Sequence, residues 1–222
     1  MRTWLVVVPA VLATSAIAPA QQTAVIDEAS FTITRGGAPY GTESFKIIRR
    51  LGAQGVEYAA QCTRTLEGRV VRTVLAADSA GNLSSYSRAT TGSGQSQLTA
   101  RPAQNRLTVN EDGAQASSRD YVFAPGTLIL DDDVIHQLYF VTWRGPRSLT
   151  FVAPGGRRSG QGALTEVGRE DVAIGRTSVA ATRYTFGSGD DRREIWVDSE
   201  KRLLKVSHPS RQIVGIRDLP PR

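Results

Sequence analysis

Leu128-Ile129-Leu130-Asp131-Asp132-Asp133-Val134-Ile135-His136-Gln137-Leu138-Tyr139-Phe140-Val141-Thr142-Trp143-Arg144 reads as a helix in a chain otherwise patterned as strand and turn. Three aspartates open it, where a helix N-terminus favours capping oxygens and negative charge. Gly145-Pro146 closes it. At about 100° per residue, Val134, Ile135, Leu138, Tyr139 and Val141 share one apolar face. His136, Phe140 and Trp143 follow one another on a second face. The spacing predicts a helix over 131–143 that lays its first face on a sheet and leaves the second beside a groove.

Outward from that run, the apolar period changes from helical to alternating. Ser30-Phe31-Thr32-Ile33-Thr34-Arg35 alternates polar and apolar, as a half-buried strand does. Phe45, Ile47 and Leu51 fall opposite Ser44, Lys46 and Arg50. Glu67-Gly68 marks a tight hairpin turn, and Asp78-Ser79-Ala80-Gly81-Asn82 marks another. Gln95–Arg101 and Asn105–Glu111 carry few large apolar residues, which places them toward a sheet edge. Gln115–Ala124, with Tyr121 and Phe123 inward, leads into the helical run. Beyond it, Ser148–Ala153, Ala163–Arg169, Asp171–Ile174, Thr177–Phe186, Arg192–Asp198, Arg202–His208 and Arg211–Asp218 continue as strands. Residues 154–160 read as an exposed, solvated and mobile loop, with an anion held by Arg157 and Arg158 as the alternative.

Strands joined by short turns, without βαβ alternation, make an all-β chain. A sheet this large must curl or split to manage its edges. The expected fold is a large antiparallel sheet curled into an incomplete barrel, with one short helix packed on its concave side.

The first twenty residues stand apart. Arg2 precedes the apolar run Trp4–Ala13, and Ala18-Pro19-Ala20 has the small-x-small form of a cleavage site. The run is broken by Pro9 and is shorter than the ~20 residues of a membrane span. Residues 1–20 are therefore expected to be an export signal. Residues 21–222 then form a single β domain, periplasmic or secreted, with no transmembrane segment. Cys62 is the single cysteine, so an exported domain of this kind relies on its core rather than on disulfides. On a strand from Val56, Cys62 shares a face with Tyr58 and Ala60 and is expected to be a small buried residue.

The formal charge is +6. Residues 143–222 hold 15 Lys/Arg against 9 Asp/Glu, whereas residues 21–142 are near balance with 11 against 12. That asymmetry fits an anionic envelope surface or a solvated outer face. The basic residues are scattered and no recognition motif is present, so nucleic acid is not an expected partner.

The C-terminal run Trp196-Val197-Asp198-Ser199-Glu200-Lys201-Arg202-Leu203-Leu204-Lys205-Val206, ending at His208-Pro209, has the form of a recurring hairpin. It resembles the closing hairpin of bacterial exported domains of unknown function. Those domains also carry an Arg-Gly turn followed by Gly-Thr-Glu, here Arg35-Gly36-Gly37 and Gly41-Thr42-Glu43. Over residues 28–218 such domains are similar in architecture to the lipoprotein carriers LolA and LolB. The resemblance implies a single sheet curled into an incomplete barrel with helices lining its open side. Function carried across on fold alone is analogy.

The chemistry-bearing residues are sparse. Asp131, Asp132 and Asp133 near His136 read first as helix caps. The alternatives are a carboxylate-oriented general base or part of a cation site, although calcium takes six or more oxygens from a more regular loop. No nucleophile elbow or phosphate loop is present, and no cofactor, metal site or catalytic residue is expected. Three readings follow. The leading one is an exported cell-envelope domain that holds a lipid or other hydrophobic small molecule in the hollow of its curved sheet. His136, Phe140 and Trp143 would border that hollow, with Trp196 on its far wall. The second is a structural or interaction module with a filled core. The last is a hydrolase using His136 with an aspartate.

Overall fold

The computed structural model describes residues 23–52, 55–92, 94–114, 116–132 and 134–221. The expected export signal and Asp133 lie outside the described residues. The first wing contains β1 (Thr23–Arg35), β2 (Ala38–Gly52), β3 (Gly55–Leu66), β4 (Arg69–Asp78), β5 (Leu83–Thr91), β6 (Ser96–Ala103), β7 (Arg106–Gly113) and β8 (Ser117–Val122). The two-residue strand β9 (Leu128–Ile129) and helix α1 (Leu138–Trp143) follow. The second wing is β10 (Arg147–Ala153), β11 (Arg158–Ile174), β12 (Thr177–Phe186), β13 (Arg193–Val197), β14 (Leu203–His208) and β15 (Ile213–Arg217).

The described strands make one sheet in the order β8-β7-β6-β5-β4-β3-β2-β1-β15-β14-β13-β12-β11-β10-β9. The chain begins at the middle of the sheet and meanders out to one edge. It crosses the concave side to the opposite edge, then meanders back until β15 pairs with β1. Neighbours are antiparallel except β9 and β10, which run parallel because the chain enters β9 from the crossing. The sheet is curled but not closed into a barrel: β8 and β9 are its two ends. Register shifts interrupt β1–β2, β4–β5, β11–β12 and β13–β14. Such irregularities bend a strand and increase its local twist, which lets a wide sheet curl.

Alternation placed the core correctly in most strands. Phe31 and Ile33 of β1, Phe45 and Ile47 of β2, Ala60 and Cys62 of β3, and Leu98 of β6 all join one cluster on the concave side. The weak strands β6 and β7 do lie near an end of the sheet. Leu51, expected inward, is exposed beside the β2–β3 turn. The expected strands 163–169 and 171–174 are one continuous β11. The expected exposed loop at 154–160 is a tight turn in which Pro154 is buried and Arg158 already belongs to β11.

The larger correction concerns the helix. It spans only Leu138–Trp143, and no aspartate caps it. Residues 128–129 are strand, and residues 134–137 lead into the helix through turns with i to i−3 bonds such as Leu138 N to Ile135 O at 3.0 Å. The backbone donors that would have continued the helix toward its start are taken elsewhere. Leu130 N–H goes to Val152 O, Asp131 N–H goes to the Gln137 side chain, and Ile135 and His136 N–H go to Glu43. Among the described residues, no helix is long and apolar enough to cross a membrane.

The seam between the two wings is pinned by a buried ion pair. Arg217 of β15 donates to both oxygens of Asp27 on β1, at 3.2 and 2.9 Å, and also to the carbonyls of Leu203 and Glu28. Both side chains are nearly inaccessible to water. Removing one partner of a buried pair strands the other charge. Asp27→Ala should therefore lower the unfolding free energy by about 3–5 kcal/mol in urea denaturation. Glu28→Ala, which breaks only an exposed contact with Lys46, should change it by less than about 1 kcal/mol.

Candidate functional site

The crossing segment, residues 123–146, fills the hollow. Val134, Ile135, Leu138, Tyr139, Phe140 and Val141 are all buried. The fit against β15 is close, and a side chain at Gly215 would force Ile135 to shift. A Cβ on Gly215 of β15 would meet Ile135 Cδ1 at 2.4 Å, closer than such atoms can approach. A partly open pocket between this segment and β15, lined by Arg64, Ile135, Leu138, His208 and others, has a volume of about 30 Å³. That is room for about one water molecule.

At the floor of the hollow lies Glu43 of β2, fully buried. Its Oε2 accepts Ile135 N–H at 3.0 Å, and its Oε1 accepts His136 N–H at 2.8 Å. The same Oε1 lies 3.1 Å from His136 Nδ1. A carboxylate there can only accept, so Nδ1 carries the proton and donates. The sequence geometry explains why Glu43 points inward: strand side chains alternate, and Glu43 is in phase with Phe45 and Ile47. Directly across the ladder, Glu43 pairs with Arg64 of β3, and Phe45 pairs with Cys62. Phe45 also stacks on the His136 ring, with centroids 5.9 Å apart.

Burial pushes the Glu43 carboxyl up. The hydrogen bond and charge of His136, the Arg64 guanidinium and the Ile135 N–H outweigh it and hold the group below its ordinary 4.5. Burial, with Glu43 nearby, drives the Cys62 thiol far up. It is a protonated core group, as its place on the strand implied. Glu43, Cys62 and His136 offer one donor atom each within 4.8 Å of one another. His136 Nε2 has no hydrogen-bond partner among the described residues.

The two described aspartates of the run are anchors. Asp131 Oδ2 accepts the Tyr86 hydroxyl at 2.5 Å and its Oδ1 accepts Gly155 N–H at 2.6 Å. Burial and the adjacent Asp131 push the Tyr86 phenol far above its ordinary range. Asp132 faces Arg158 at 2.6 Å, with Arg193 and Arg211 further out. Burial raises its carboxyl, but Arg158 and the other two guanidiniums hold it below the ordinary value. Arg157 and Arg158, expected in an exposed loop, are thus engaged, Arg157 by Glu111 and Arg158 by Asp132 and Asp191.

The expected groove residues separate. His136 and Phe140 are buried in the plug. Trp143 is half-buried, its ring 4.8 Å from Tyr58 and 6.4 Å from Tyr139. Both faces of the helical run are therefore core. Trp196 does not face them. Ile195 and Val197 point into the hollow, so strand alternation turns Trp196 to the other face of the sheet. There it packs with Val172, Ile174, Ala181 and Leu204, beneath Lys205 and Arg183 and bonded to Glu170. The expected pairing of His136 with an aspartate is replaced by Glu43. Glu43 and Arg64 escaped the sequence reading, although one signal pointed to them: both occupy the inward phase of strands whose other inward residues are apolar.

The Gly41-Thr42-Glu43 run and the C-terminal hairpin also have structural duties. Gly41 lies so close to β3 that a Cβ would meet Thr65 O at 2.2 Å. Two residues on, Glu43 holds the plug. In the closing hairpin, Asp198 accepts the N–H groups of Glu200 and Arg202 and the Arg202 guanidinium, at 2.8–2.9 Å.

The chain matches no protein-family model and no curated protein. Among solved structures it is similar to a β-barrel-like protein of the domain of unknown function DUF1849 from Brucella abortus. The two share 10% identity over 86% of this chain and 94% of the other, with a TM-score of 0.54. That similarity shows the fold alone.

The depressed Glu43 ionisation has a definite pH signature. A carboxylate whose folded-state pKa lies below its unfolded value stabilises fully above about pH 4.5, and the contribution is lost as pH falls through the folded-state value. Glu43→Gln should lower stability at pH 7 by about 2–4 kcal/mol in urea denaturation. Its gap from the unsubstituted protein should close on acidification.

Proposed function

We propose that this protein is an exported, non-enzymatic β-domain of the bacterial cell envelope that acts as a structural or interaction module with a filled core. The observation that carries the reading is the plug. The hollow in which a carrier would hold an acyl chain is occupied by the chain's own residues 123–146, and Glu43 ties that segment to the sheet. Ligand pockets for drug-sized molecules are typically about 300–1,000 Å³, far above the 30 Å³ left beside the plug. Opening the hollow would expose both helical faces together and break the bonds to Glu43.

Surface recognition suits the remaining geometry better. An open trough of about 870 Å³ is lined by Lys46, Gln61 and Arg72, by Val25, Ile26 and Val74, and by the tail Asp218–Pro220. It is open and mixes polar with apolar side chains, as contact surfaces do. The N-terminal pattern of residues 1–20 supports export. A hydrolytic role finds no support around His136, which is fully buried against Glu43 and Phe45.

Organic extraction of protein purified from an envelope fraction, followed by mass spectrometry, tests this reading. The filled core predicts no acyl lipid at stoichiometric level. One lipid per chain would restore the carrier-like alternative and would mean that the plug leaves the hollow.

A further inference from the structure

The donors of Glu43, Cys62 and His136 converge at the floor of the hollow with more than one oddity about them. The Nδ1 to Oε1 separation of 3.1 Å is close to the ~3.3 Å edge of a tetrahedron with zinc–ligand bonds of about 2.0–2.1 Å. Cys62 lies on the adjacent strand, its donor within 4.8 Å of the other two. Zinc–sulfur bonds of ~2.3 Å call for edges near 3.5 Å, so a small side-chain rotation would bring the sulfur into range. Across the ladder from Cys62 stands Thr73, 1% exposed, its hydroxyl bonded to the Cys62 thiol. His136 Nε2 is buried without a hydrogen-bond partner among the described residues, so no second bond fixes the tautomer of the ring.

We propose that Glu43, Cys62 and His136 form a binding site for one divalent ion of the zinc class. Imidazole, carboxylate and thiolate together suit a borderline-soft cation of tetrahedral habit. The ion takes the place of the proton between His136 Nδ1 and Glu43 Oε1. That imidazole proton moves to Nε2, and the thiol proton of Cys62 leaves to solvent, so binding releases one proton. The bonds from Ile135 and His136 N–H to Glu43 persist as the outer shell that orients the carboxylate. Arg64, opposite Glu43, opposes a cation, and the thiolate formed at Cys62 offsets part of that repulsion. An ion there binds the plug and the sheet at once, so it acts as a second fastening of the crossing segment.

Cobalt(II) titration of the intact protein provides the test, because a thiolate bound to Co²⁺ gives a charge-transfer band in the near ultraviolet. Cys62 is the chain's one cysteine, so the band alone assigns the ligand, whatever any variant does. The expected result is a band saturating at about one ion per chain with release of about one proton, and a rise in melting temperature with Zn²⁺. Cys62→Ser should lose the band and weaken binding about tenfold or more. Absence of the band at excess Co²⁺ would overturn the proposal. So would an equal Zn²⁺-induced rise in the folded Cys62→Ser protein.

Discussion

A carboxylate buried in the floor of a curled sheet holds this structure's two parts together. Glu43 accepts two backbone N–H groups and an imidazole from a segment 92 and 93 residues away. Buried N–H groups need acceptors, and a segment that crosses a hollow cannot find them in a ladder. Two acceptor oxygens placed by strand alternation solve that problem at the point where the crossing chain turns toward its helix. The solution has a cost, since a buried carboxylate must itself be compensated. Arg64 across the ladder and His136 above it supply that compensation.

The rest of the architecture follows from the need to cross. Starting in the middle of the sheet lets the chain build one wing outward, traverse the concave side once, and build the other wing back to the start. Its last strand then closes on its first, where Asp27 and Arg217 lock the seam. The crossing segment is at once the connection between wings and the core filling. Its two described aspartates, which do not cap the helix, reach both wings: Asp131 to Tyr86 and Asp132 to Arg158. Contacts this distant in sequence are slow to form, because loop closure precedes the reward of packing.

Alternation made the strands legible, and with them the all-β class, the curled sheet, the edge position of the weak strands and the burial of Cys62. Helical periodicity was less reliable. The run 131–143 has helical spacing, yet its first half is not helix, because its N–H groups and carboxylates are claimed by Glu43, Tyr86 and Arg158. No local pattern reveals such distant partners. Trp196 shows a different limit. Its aromatic character suggested a shared pocket with Trp143, but the period of β13 puts Ile195 and Val197 inward and Trp196 outward. The site residue most open to detection was Glu43. Carrying the Phe45 and Ile47 phase back by two residues places a carboxylate inside the core, and the same step from Cys62 places Arg64 beside it.

The central claim is that Glu43 clamps the crossing segment in the hollow of the native protein. Native-state hydrogen exchange at the Ile135 and His136 amides tests it most directly. The account predicts that these two protons exchange only through global unfolding, as slowly as amides in the central strands β1 and β2, although their acceptor is a side chain. Exchange orders of magnitude faster, at the rate of the exposed turns, would mean that the plug leaves the hollow under native conditions and would contradict the account.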